Sequence, residues 1–89
     1  MDTIEDVVIG YLENNYEEKV KELLKKVYET VSGNVDLIPT YLGDELRFFL
    51  MDLFSGKSIQ DRLIRLGLAN VDWDTVGDEI WNVYGEEVV

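Results

Sequence analysis

Carboxylates are the only abundant reactive groups in this chain. Nineteen Asp and Glu stand among 89 residues, with no histidine and no cysteine. Two carboxylates can share acid–base work, as in glycoside hydrolysis. That chemistry needs a cleft that splits their pKa values, whereas acids on an outer helical face are solvated alike. Without histidine the commonest general base and metal ligand is missing. Without cysteine there is no thiolate for catalysis or zinc. The expectation is therefore a protein that is not an enzyme, with no catalytic residue, metal or cofactor. The stretch "DWDTVG", Asp72 to Gly77, meets the calcium-loop pattern at positions 1, 3 and 6. Val76 and Val83 stand where a ligand and the bidentate Glu are needed, so a helix cap is the reading that remains.

The remaining chemistry of these acids is electrostatic. Residues 1–18 hold six acids and no base, and residues 66–89 hold six more and no base. Residues 19–65 carry all eight Lys and Arg against seven acids, so the net charge of −11 comes from the two ends. Such an excess repels itself and costs stability. It should also repel DNA, RNA and anionic membranes, which excludes direct nucleic-acid or membrane binding. Acids at i, i+4 on a helix stand about 6 Å apart at their roots, a spacing that can imitate the dense charge of a nucleic-acid strand. Asp74, Asp78 and Glu79 with Asp72, Glu86 and Glu87 form one such set, and Asp2, Asp6 and Glu13 a second. Trp81 lies at the border of the first set and is its candidate anchor, because Trp and Tyr dominate interface energetics.

Helices must position these groups. Ile4, Val7, Val8, Tyr11 and Leu12 recur at helical spacing, with Asp2 or Thr3 as cap. Asn15 with Glu18 reads as a capping box for a second helix, with Tyr16, Val20, Leu23, Leu24, Val27, Tyr28 and Val31 inward and Gly33 as its left-handed end. The two could also form one long helix. Glu22 to Lys26 is a favourable pair on the outside of the second. "GNVDLIP" is a loop, and Pro39 suits the first turn of a third helix. Ser58 with Asp61 starts a fourth, which Gly67 stops, and its Arg62 and Arg65 should pair with Asp61 or nearby acids. Asp72 caps a fifth with Val71 and Val76 as a hydrophobic staple, and Gly85 ends it. No run alternates with period two. The predicted fold is all-α, a compact bundle of about five short helices in a single domain, residues 1–89.

The third helix is apolar over most of its circumference. Leu42, Leu46, Phe49, Leu50, Leu53 and Phe54 form its core face, while Tyr41, Phe48 and Met51 lie among Asp44, Glu45 and Asp52. Tyr41, Asp44, Glu45, Phe48 and Asp52 therefore make a secondary candidate interface, suited to a partner helix or a homodimer. No apolar run is long enough to span a membrane. Asp2, Glu5 and Asp6 oppose the basic start of a secretion signal, so the expected location is cytoplasmic.

Two short motifs resemble known families. "LGDEL", Leu42 to Leu46, is similar to the phosphopantetheine site of acyl carrier proteins, but Glu45 occupies the place of the serine that carries the group. "SGNVDLIPTY", Ser32 to Tyr41, resembles a segment of DNase-colicin immunity proteins, which would make Asp36 and Tyr41 toxin-contacting residues; Pro39 stands where a tyrosine belongs. As a class, small acidic helical proteins of this charge density resemble the DNA-mimic inhibitors of phages and mobile elements, of anti-restriction and anti-CRISPR type, and the nuclease immunity proteins. The resemblance implies a basic protein partner, a nucleic-acid-acting enzyme.

Overall fold

The computed structural model describes residues 2–88. Five α-helices follow one another: α1 (Ile4–Asn15), α2 (Glu17–Val31), α3 (Ile38–Leu53), α4 (Ile59–Leu68) and α5 (Trp73–Val88), with a single 3-10 turn at Val35–Leu37. There is no strand among the described residues. The fold is an all-α bundle, as the spacing of apolar residues predicts.

Side-chain caps mark where α1, α4 and α5 begin. The Asp6 N–H donates to Thr3 Oγ1 at 3.1 Å and the Thr3 N–H to Asp6 Oδ2 at 3.2 Å, a closed capping box. At α4 the Asp61 N–H donates to Ser58 Oγ, while the Asp61 carboxylate turns away and accepts from the Gly56 N–H at 2.8 Å. At α5 the Thr75 N–H donates to Asp72 Oδ1. The Asn15–Glu18 box does not form. Asn15 Nδ2 donates back to the Tyr11 carbonyl at 3.0 Å, and the break between α1 and α2 falls on Tyr16, at φ −138°. The Tyr16 ring packs edge-on against Phe49, with centroids 5.1 Å apart. The chain here forms two helices and not one.

α2 ends at a left-handed Gly33 as read, and helix ends depart from the glycine signals at Gly67 and Gly85. Ser32 already adopts the left-handed conformation at φ 51°, and Gly33 follows at φ 88°. Gly67 and Gly85 both lie inside helices, and α5 continues to Val88. A glycine suits position 85 because the Trp81 ring packs beside it, so near that a Cβ there would sit 3.0 Å from the indole.

The core is built on α3 and α5, the most closely packed pair. Leu42, Leu46 and Leu50 of α3 and Val76 and Ile80 of α5 are buried, together with Leu12 of α1 and Val20 and Leu24 of α2. Gly43 and Gly77 let the two backbones touch: a Cβ on Gly77 would lie 2.1 Å from the Pro39 carbonyl oxygen. Leu53 is exposed and Met51 is half-buried against the core, the reverse of their predicted sides. α4 is held loosely, mainly by α3. Arg65 fastens its entry by donating to the carbonyls of Phe54 and Gly56, the latter at 2.8 Å, so it does not pair with Asp61. Trp73 fastens its exit, its indole N–H donating to the Leu68 carbonyl at 3.2 Å. No described helix is long and apolar enough to cross a membrane.

Candidate functional site

α1 and α5 lie side by side and point the same way. At their beginnings Glu5 Oε2 accepts from the Asp72 N–H at 3.0 Å, 67 residues away in sequence. Near their ends Lys21 of α2 bridges Glu17 at 2.9 Å and Glu87 at 3.3 Å. Between these ties Val8 and Leu12 belong to the same core cluster as Val76 and Ile80. The two acid-only ends of the chain are therefore neighbours in space. Asp2, Asp6, Asp72, Asp74, Asp78, Glu79, Glu86 and Glu87 are exposed, and Glu13 is half-exposed.

Their neutralisation is slight. Ion pairs among the described residues join Lys19 to Glu22, Lys21 to Glu17 and Glu87, and Lys26 to Glu45. Among the described residues Glu87 is the one acid of the α1 and α5 sets with a cationic partner. Glu22 pairs with Lys19 and not with Lys26, because Lys26 reaches across to Glu45 of α3 at 3.2 Å. Helix polarity sharpens the picture. A carboxylate in the first turn is favoured by the macrodipole, and Glu5, Asp6 and Asp74 sit there. In the last turns it is disfavoured by roughly 0.3–1 kcal/mol. Glu86 and Glu87 occupy that end of α5, whose own last turn holds no base. Lys21 of α2 compensates Glu87 at 3.3 Å, and Glu86 has no cationic partner among the described residues.

Trp81 is less prominent than its candidacy as an anchor required. It is half-buried, stacked on Tyr28 with centroids 6.2 Å apart and ring planes 19° from parallel. One side stays open above a shallow depression shared with Asn82, Gly85 and Glu86. The secondary candidates divide. Phe48 is 69% exposed and Tyr41 43%, with Asp44 and Asp52 exposed beside them, whereas Glu45 is occupied by Lys26. Asp36 is exposed in the 3-10 turn.

Tyr84 records the field of this face. Burial first, then the charges of Glu13, Glu17 and Glu87, hold its phenol above the usual value, with Lys21 opposing. In the unfolded chain a tyrosine ionises near pH 10. The folded phenol keeps its proton longer, so folding is favoured below that pH and loses this contribution as pH rises beyond it. Melting temperatures measured between about pH 9 and pH 11 should fall less steeply for Tyr84→Phe than for the parent. Equal slopes would mean that the phenol is not held back.

One feature escaped the sequence reading. Ile4, Val7 and Tyr11 of α1 face Leu50 and Phe54 of α3 and Ile64 of α4 across an open apolar groove of about 260 Å³. Beyond it, α4 turns Ile59, Leu63 and Leu66 to solvent at 70%, 60% and 65% exposure. The signal was present in "IQDRLIRLGL", whose apolar residues fill a broad arc opposite Asp61, Arg62 and Arg65, wider than its few neighbours cover. Comparison with known proteins finds no family model, no curated protein and no solved structure that matches this chain.

Proposed function

We propose that this protein is a non-enzymatic inhibitor that docks its α1–α5 acidic face into the basic nucleic-acid-binding site of a target enzyme, in the manner of anti-restriction, anti-CRISPR or nuclease-immunity proteins. The observation that carries the reading is the Glu5–Asp72 hydrogen bond, which unites two base-free ends of the chain into one surface. Rows of carboxylates there, of which Glu87 is paired with Lys21, present a line of charge resembling a phosphate backbone. Long-range attraction would speed encounter with a positive groove, and the open side of Trp81 would add contact area. Placing Glu86 against the C-terminal dipole of α5, with no cationic partner among the described residues, is a cost that a docking role explains and solubility alone does not require.

The test is competitive. The immobilised protein should retain a basic protein from host lysate at low salt, and added duplex DNA or RNA should release it. Retention that neither nucleic acid displaces would overturn the reading. A second reading, a helical adaptor using the outer face of α3, is favoured by the exposure of Phe48; retention lost on Phe48→Glu and kept after acid reversal on α5 would select it.

A further inference from the structure

We infer that the depression beside Trp81 is a seat for one arginine side chain of the basic partner, an inference that rests on the docking role proposed for the α1–α5 face. The depression lies in the last turns of α5 and is lined by Trp81, Asn82, Gly85 and Glu86. Gly85 keeps it open: a Cβ there would stand 3.0 Å from the indole, so any larger residue would crowd the ring. What remains is an aromatic surface beside an exposed carboxylate and an exposed side-chain amide.

Each of these groups selects a cation. Indole is the best aromatic partner for a positive charge. Glu86 has no cationic partner among the described residues. The C-terminal end of a helix adds partial negative charge and free carbonyls. Elsewhere the chain fills the same combination from within. Lys21 lies 5.5 Å from the centre of the Tyr84 ring while bridging Glu17 and Glu87, and Lys19 lies 5.9 Å from that of Phe49. Among the described residues no lysine or arginine lies over Trp81. The strongest cation-binding ring of the three is thus the one left for an outside charge. Shape then favours arginine over lysine. A guanidinium is flat enough to stack on the indole, and its fork of N–H groups can donate to Glu86 and to the Asn82 amide oxygen together. Arginine is also the residue of choice for holding phosphate in a nucleic-acid groove, so the group that would grip a phosphate would grip Glu86 in its place.

Hexa-arginine and hexa-lysine peptides, titrated at low salt against the full chain and followed by NMR, test the seat. The arginine peptide should bind at least about threefold tighter and shift the indole N–H resonance of Trp81, while that of the enclosed Trp73 stays in place. Glu86→Gln and Trp81→Leu should each bring the ratio of the two affinities toward one. Glu18→Gln, exposed on α2, should keep the ratio. Glu86 is solvent-facing and unpaired, so its variant decides the matter even if loss of the indole from Tyr28 unsettles the fold. Equal affinities for the two peptides, or an arginine preference that survives Glu86→Gln and Trp81→Leu, would refute the seat. The peptides bypass the target. Equal affinities alongside a basic protein that nucleic acid releases would remove the seat and keep the inhibitory role; a preference lost in both variants, without such a protein, would keep the seat and remove that role.

Discussion

Gly77→Ala is expected to destabilise the protein by about 2–3 kcal/mol, near the upper end of what overpacking costs. Alanine in mid-helix ordinarily stabilises, by up to about 1 kcal/mol over glycine. Here the added methyl would fall 2.1 Å from the Pro39 oxygen and 2.9 Å from the Gly43 nitrogen. Both are backbone atoms and cannot rotate aside. α3 and α5 would have to separate, loosening the packing of Leu42, Leu46, Val76 and Ile80 at once. For a single small domain such a loss is a large share of total stability. Gly10 supplies the control: nothing lies within 4 Å of its would-be Cβ, so Gly10→Ala should stabilise by up to about 1 kcal/mol. Thermal and urea melts of the two variants moving in opposite directions would establish the close approach. A neutral or stabilising Gly77→Ala would show that the helices are farther apart than described.

Asp74→Lys combined with Asp78→Lys should abolish inhibition of the target, with affinity falling on the order of a hundredfold or more, because attraction to a basic groove becomes repulsion. Both side chains are exposed and neither forms an ion pair among the described residues, so the fold loses only the small dipole contribution of Asp74. The control reverses Glu18 and Glu29, exposed on α2, and changes the total charge equally. It should leave inhibition largely intact. Full inhibition by the α5 variant removes that helix from the site, and equal loss in both variants reduces the effect to bulk charge. Added salt should weaken parent binding while raising the melting temperature, since screening relieves both the attraction and the self-repulsion.

What the residues disclosed in advance follows from the range of the forces involved. Periodicity and caps are local, and the five helices with the Ser58 and Asp72 caps were legible from them, while at the first helix Asp2 and Thr3 stood open and Thr3 forms the cap. The break at Tyr16 was legible too, as the interruption at "ENNYEE", although the Asn15–Glu18 box offered for it does not form. Gly85 reads as a stop only until the Trp81 ring is seen to pack beside it. Lys26 prefers Glu45 to Glu22 because α2 packs on α3, a fact absent from α2 alone. For the candidate site, charge segregation was visible as composition, while the adjacency of the two ends required the parallel packing of α1 on α5. The bareness of α4 was the hardest to anticipate. Apolar spacing says which sides of a helix can be buried, and only the neighbouring helices decide which of them are.

The two indoles differ in a way that makes the molecule its own optical probe. Trp73 is enclosed, hydrogen-bonded to the Leu68 carbonyl, and its emission reports whether the bundle is assembled. Trp81 rests on Tyr28 with one side toward solvent among carboxylates, so its emission and its access to ionic quenchers report what lies against that surface. With Trp73→Phe the remaining signal comes from the acidic side alone, and occupancy can be followed by fluorescence without attaching a dye.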